Sequence, residues 1–368
     1  MDEPAPRQTG ILPADHIAEL HRSGALVIAR AFDADQIQPA SLDLRLGTEA
    51  YRVRASFLPG PGTPVSDKLE KLKLHTVALT EGAVLETGCV YIVPLQESLA
   101  LPADIAATAN PKSSTGRLDV FTRVITDEGV EFDTVPAGYH GPLYAEISPR
   151  TFPVLVRTGS RLSQIRFRRG HPLLTDAELG ALHATSPVID DPHPRFAGGV
   201  HLSIDLSARG DAPVGYRGKR HAAVIDVDRK NAYDVFDFWE PIFVRGSDSL
   251  VLDPGEFYIL VSREAVTVPP QTAAEMVPFD PLVGEFRVHY AGFFDPGFGY
   301  HATGGTGSRA VLEVRSHDVP FILDHGQVVG RLVYERMLAV PKTLYGTDIG
   351  SHYQAQGLKL SKHFRALG

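Results

Sequence analysis

The chain repeats itself, and that limits its folds more than any other feature. Ile11 to Asp15 (ILPAD) is answered by Leu173 to Ala177 (LLTDA), and Ser41-Leu42-Asp43-Leu44 by Ser203-Ile204-Asp205-Leu206, each 162 residues on. Further along the offset becomes 167, where Leu85 to Ile92 (LETGCVYI) matches Leu252 to Ile259 (LDPGEFYI). The same offset pairs Glu97 with Glu264, Pro102 with Pro269 and Glu146 with Glu313, and Gly159 to Phe167 with Gly326 to Tyr334. Ordered matches at nearly constant spacing imply two copies of one unit, too few for a solenoid. The expected domains are 1–170 and 171–368, with the boundary between Gly170 and Leu173.

The unit itself reads as all-β. Short β-branched and aromatic runs are cut by turn residues, chiefly the 34 Gly and 28 Pro, the pattern of a sandwich or barrel. Two segments read as helices. Pro13 to His21 places Ile17 and Leu20 on one face. Thr175 to His183 opens on a threonine N-cap with Glu178 three residues later, the spacing of a capping box.

Composition narrows the function class. At 368 residues the chain can bury two substantial cores. With 22% charged residues and a net charge of −8 it lacks the basic excess of a general nucleic-acid binder. It has no apolar run long enough to span a bilayer and no apolar stretch in Met1 to Gln8, so a cytoplasmic protein is expected. Its one cysteine, Cys89, sits in the apolar run Cys-Val-Tyr-Ile-Val and is expected in the core. One cysteine cannot supply the ligand set of a zinc deaminase. His140, His171, His183 and His193 lack ligand spacing and read as surface or loop residues.

Two stretches of the first copy carry chemistry. Lys112-Ser113-Ser114-Thr115-Gly116-Arg117 puts three hydroxyls and two cations in six residues. It reads either as a phosphate-gripping turn, with Arg117 as a planar fork and Lys112 as a point charge, or as a polar helix cap. It is not the Gly-x4-Gly-Lys-Ser/Thr loop of nucleotide hydrolases. Downstream, Leu143, Ala145 and Ile147 share one strand face and Tyr144 and Glu146 the other. Glu146 is either a solvated strand residue or a partly buried carboxylate tuned for proton transfer. Asp133, with Pro136 and Gly138 close behind, is an Asx-turn residue or a second functional carboxylate. The polar, Gly-rich tail Tyr345 to Gly357 is a frayed terminus or a lid over a ligand.

At these residues the chain resembles the dCTP deaminase branch of the dUTPase superfamily. Gln38-Pro39-Ala40-Ser41-Leu42-Asp43-Leu44-Arg45-Leu46-Gly47 is similar to its opening strand motif, and Pro111 to Leu118 to its Lys/Arg-Ser-Ser-x-x-Arg-Leu phosphate motif. Gly138 to Ile147 is similar to its Gly-aromatic-x-Gly…Glu motif, and Gly159 to Ile165 to the next strand. Tyr345, His352 and Gln356 keep the spacing of the family's Tyr, Lys and Gln lid, with His in place of Lys. The resemblance covers about 9 to 170, and 173 to 362 more weakly.

The resemblance implies two tandem β-clip, or distorted jelly-roll, units with few short helices, in a homo-oligomer, a trimer by preference. It implies hydrolytic deamination of dCTP to dUTP and ammonia, feeding dUMP and dTTP synthesis, with dTTP as a possible inhibitor. No metal or other cofactor takes part in catalysis, and Mg²⁺ rides on the substrate triphosphate. Glu146, or alternatively Glu313, activates the water. Lys112, Ser113, Ser114 and Arg117 bind phosphates and help hold base and water; Asp133 contacts the sugar; Tyr345, His352 and Gln356 close over the triphosphate. The chain departs from the family in two places. Asp127 to Glu131 lengthens the connection from Arg117 to Glu146, and in the second copy Asp280 to Glu285 stands at the phosphate motif with Glu285 in place of the arginine. The alternatives are a dUTP diphosphatase, a bifunctional deaminase–diphosphatase, or a nucleotide sensor without turnover.

Overall fold

Strands form where the β-branched and aromatic runs alternate between Gly and Pro turns, in a computed structural model that describes residues 9–191, 193–207, 210–244, 248–278, 286–289, 292–303, 305, 307–316, 318–346 and 357–366; at 278 and 286–289 this concerns the backbone alone. The chain divides into two units. The first comprises 1–172 together with 223–230 and 336–342, and the second takes the remainder.

The first unit is built on two antiparallel sheets. One runs β1 (Gly10–Ile11), β13 (Ser163–Arg169), β8 (Ile105–Pro111), β10 (Thr134–Val135), with β3 (Leu42–Leu44) also on β13. The other runs β5 (Lys73–Ala78), β4 (Glu49–Val53), β7 (Val90–Ala100), β11 (His140–Pro149), β9 (Val120–Thr126), with β2 (Leu26–Ile28) on β7. A small sheet pairs β6 (Ala83–Leu85) with β12 (Val154–Val156), and Ile225–Asp226 joins β12 as a parallel third strand. Arg157 anchors that strand, its two terminal nitrogens 2.7 and 2.8 Å from the Asp226 carboxylate. The 336–342 segment returns to the start of the unit: Leu338 donates its amide to the Ile11 carbonyl at 2.8 Å and enters the core.

Alternation along β11 sets which face is apolar. Leu143, Ala145 and Ile147 are buried, and Leu143 packs with Leu99, Val124, Ile165 and Phe167 from both sheets. Each such side chain contributes roughly 1.5–3 kcal/mol on burial. Helix α1 (Ala14–Arg22) adds Ile17 and Leu20 to this core, as its periodicity predicts, with Pro13 at the N-cap. The opposite face of the second sheet is covered by α2 (Val65–Leu72), which the sequence reading does not include. Val65 and Leu69 pack there on Val53, Ile92 and Ile125, with Tyr144 alongside. Cys89 departs from expectation: it is only half-buried, because it follows the exposed Gly88 turn rather than lying inside β7.

The second unit repeats the strand order. Trp239–Ile242, Gly215–Gly218, Phe257–Val266, Ser308–Ser316 and Phe286–His289 stand in the sequence β5-β4-β7-β11-β9 has in the first. The irregularity between Pro142 and Tyr144 on β11 recurs between Val261 and Ala265 on the partner strand. Its opening helix, Asp176–Thr185, carries the expected capping box, the Thr175 side chain bonded to the Glu178 amide and the Glu178 carboxylate to the Thr175 amide. The architecture is all-β with few short helices, a dUTPase-like fold.

Candidate active site

The Lys112–Arg117 stretch leaves the end of β8 and turns at once. Lys112 caps the four-residue helix α3 (Ser113–Gly116), its carbonyl accepting from the Thr115 and Gly116 amides. Ser113 is half-buried, whereas Ser114, Thr115 and Arg117 are buried. The Lys112 ammonium ion-pairs with Asp43 of β3, and Arg161 approaches the same carboxylate at 3.4 Å. Asp43 is 1% exposed, and its Oδ1 has no hydrogen-bond partner among the described residues. Arg161 also bonds Asp35, and that hydrogen bond holds the Asp35 carboxyl below its usual range. The motif is therefore both a helix cap and a cluster of cations organised around one buried carboxylate.

Glu146 lies in the middle of β11, opposite Ile92 of β7 and Arg123 of β9. It is 1% exposed, so the solvated-strand alternative does not hold. Its Oε1 accepts from Arg123 Nη2 at 2.5 Å and Nε at 3.2 Å, while Oε2 is buried with no hydrogen-bond partner among the described residues. Arg123 is itself held: its guanidinium carbon lies 3.4 Å from the Phe132 ring centroid and 4.6 Å from that of Phe121, and Nη2 reaches Ser56 Oγ at 3.0 Å. A planar cation between aromatic faces gains cation–π attraction and loses rotamer freedom. The sequence reading missed Arg123. Its signal is a lone cation on the apolar run Val120 to Thr126, directly across from Glu146 once the two strands pair.

The chain between β9 and β11 carries Phe132 there. Asp127 caps α2 by accepting from the Val65 amide at 2.7 Å, and Gly60 and Glu128 donate their amides across to the Gly129 and Thr63 carbonyls. Residues 127–129 thus bind the 60–65 segment, and Phe132 follows them onto Arg123. Asp133 follows at φ +60°, its Oδ1 accepting from the Val124 amide at 2.7 Å, a bond that ties it across the hairpin to β9. Tyr139 closes the hairpin base. Its hydroxyl donates to the Pro142 carbonyl at 2.7 Å and accepts from the Asp127 amide, and burial pushes its pKa up to about 12. A Cβ at Gly141 would lie 2.5 Å from that hydroxyl, which is why the motif has glycine there.

In the second unit Glu313 is buried at the matching place, opposite Ile259, with His289 at the register position that Arg123 holds in the first. Tyr345 packs on Phe298 at 5.8 Å, and its amide donates to the Pro296 carbonyl. His352, Gln356 and the Asp280 to Glu285 stretch lie outside the described residues. His140, His171 and His193 are exposed, and half-buried His183 accepts from the Val188 amide and stacks on Phe196. No helix among the described residues is long and apolar enough to cross a membrane.

Two family models match the chain. The N-terminal domain of 2'-deoxycytidine 5'-triphosphate deaminase matches residues 8–171, and the C-terminal domain of the same family matches 175–364. A dCTP deaminase of Haloarcula marismortui is 32% identical over 158 residues, covering 42% of this chain and 77% of that protein. A dUMP-forming dCTP deaminase of Methanobrevibacter smithii is 31% identical over 172 residues, 46% of this chain and 84% of that protein. The crystal structure of 2'-deoxycytidine 5'-triphosphate deaminase from Agrobacterium tumefaciens is 67% identical, with a TM-score of 0.87, covering 91% of this chain and all of that one. With both of its halves matched in order, the chain belongs to the dCTP deaminase family.

Proposed function

We propose that the protein hydrolyses the C4 amino group of dCTP, giving dUTP and ammonia. The observation that carries this reading is Glu146: a buried carboxylate with one oxygen ion-paired and the other bare. A buried carboxylate oxygen without a donor costs about 1–3 kcal/mol or more. A bound water would supply the missing donor, and a water held there is the nucleophile the reaction needs. Glu146 takes one proton as the oxygen bonds to C4 and the C4=N3 π pair moves onto N3, forming a tetrahedral centre. That proton then passes to N4, the C4–N4 bond breaks and ammonia leaves, and the remaining hydroxyl proton moves to N3 to give the uracil base. General-base help of this kind is worth roughly 10²–10⁴ in rate.

Lys112, Ser113, Ser114 and Arg117 would bind the triphosphate, which arrives with Mg²⁺ as part of the substrate, and help place base and water. The Lys112–Asp43 ion pair is compatible with this, because it fixes the ammonium at the mouth of the turn. Asp133 would reach the sugar, and Tyr345, His352 and Gln356 would close over the phosphates. The reaction proceeds through Glu146 and water, without a catalytic metal. The product would feed dUMP and dTTP synthesis, and assembly as a trimer follows the resemblance.

A second reading has one specific support, the dUMP-forming name of the Methanobrevibacter relative. In that case the same site also hydrolyses the triphosphate and releases diphosphate. Incubating the protein with dCTP and Mg²⁺, then resolving nucleotides by anion-exchange chromatography, separates the two. Equimolar ammonia and dUTP support deamination alone; dUMP with diphosphate supports the bifunctional reading; unchanged dCTP sinks both.

A further inference from the structure

We propose that Arg123 is a positioning residue for Glu146: it anchors Oε1 and so aims Oε2 at the reacting water. This inference rests on Glu146 being the base.

The geometry leads to it in two steps. First, both Arg123 contacts fall on the same carboxylate oxygen, Oε1, at 2.5 and 3.2 Å. That divides the carboxylate into an anchored oxygen and a bare one, and fixes the plane and direction of the bare one. Second, Arg123 is not a mobile surface cation. Phe132 and Phe121 stack on it and Ser56 Oγ fixes Nη2, so it is pre-organised and loses little entropy when it holds Glu146.

Arg123 makes this contact without being part of the phosphate motif, from which it is separated by the turn at Leu118 and Asp119. Its stacking partner Phe132 comes from the hairpin that follows Asp127 to Glu131, so this hairpin builds one side of the clamp on the base.

Four variants test the proposal: Arg123→Gln, Arg123→Lys, Glu146→Gln and the Arg123→Gln/Glu146→Gln double. Steady-state kinetics on dCTP are measured for each, with circular dichroism and thermal melts to check folding. Arg123→Gln should lower kcat about 10²-fold with KM within about threefold, because a transition-state interaction is lost and phosphate binding is not. Arg123→Lys keeps the charge and loses the planar stack, so it should recover most of that loss, to within about tenfold of the unaltered protein. Glu146→Gln should be nearly inactive, and the double variant no worse, since Arg123 acts through Glu146. The double variant also removes the buried unpaired charge, so it folds even where Arg123→Gln is weakened. Unaltered kcat in Arg123→Gln with an inactive Glu146→Gln overturns the positioning role alone. A further loss in the double variant overturns it as well. Unaltered turnover in Glu146→Gln overturns the base assignment and this inference together.

Discussion

In the first unit Glu146 stands across from Arg123; in the second Glu313 stands at the same strand position with His289 at the matching register. The two units also treat their other shared glutamate differently. Glu97 is fully buried against Arg45, whose backbone amide, Nε and two terminal nitrogens are all committed, to Glu97 and to the Ala31 and Arg30 carbonyls. Glu264 instead bonds the amide and hydroxyl of Ser203. The same sheet order, with its bulge, holds the same carboxylates in both. What changed is the partner beside each. A scaffold of this kind fixes where a carboxylate sits, and the residue on the neighbouring strand decides what it does.

The comparison can be broken at several points, and the largest expected effect is catalytic. Glu146→Gln should cut dCTP turnover by about 10²–10⁴, whereas Glu313→Gln should leave it within a few-fold; the reverse in a product assay would move the base to the second unit. Next comes stability. Arg45→Ala leaves the buried Glu97 charge without a cation, although Gln36 and the residue-45 amide still donate to it, and should cost about 3–5 kcal/mol, against about 1–3 kcal/mol for Ser203→Ala, read by denaturant unfolding. Equal losses would mean that the two glutamates are held alike after all. Gly141→Ala drives a methyl into the Tyr139 hydroxyl and should cost about 1–3 kcal/mol, with Gly255→Ala, an open turn at φ +74°, as the strained but unclashed contrast. Thr175→Ala should cost about 1 kcal/mol, since it removes a capping box that the Pro13 N-cap of α1 lacks.

The smallest effect concerns acid. The Arg157 hydrogen bonds hold the Asp226 carboxyl below its ordinary value. A carboxyl lowered on folding adds stability above its unfolded pKa, about 3.9, and that stability drains away as pH falls through the lower folded value. Asp226→Asn should therefore flatten the acid limb of the melting curve below about pH 4 while changing little at about pH 7 beyond the loss of the pair. A limb unchanged in the variant would mean that other carboxylates set it.

Much of this was legible in the sequence, and the rest failed for identifiable reasons. The repeat, the capping box at Thr175 and the apolar face of α1 are local patterns, and local patterns are read directly. Helix α2 was also written there: Val65, Leu69 and Leu72 keep helical spacing, but five of the eight residues are polar or charged and the run is short. Glu146 could be picked out as a strand carboxylate, yet its burial is a tertiary fact, at a face where α2 packs over Val53, Ile92 and Ile125. Arg123 and the Arg45–Glu97 pair were invisible because their partners lie 23 and 52 residues away, joined only by register. Register had to be known before the charges could be matched.

The first unit is completed by chain that is made late. Its third edge strand comes from 223–230, and Leu338 in its core from 336–342. A ribosome adding about 5–20 residues per second reaches that last segment roughly ten seconds or more after passing residue 172. Until 225–226 is made β12 has an uncovered edge, and until 336–342 is made the core lacks a side chain. The order of synthesis and the order of closure therefore differ: the half that is begun first is not finished until nearly all of the second has been made, and a fragment ending near residue 172 would emerge with an open edge prone to pairing with its neighbours.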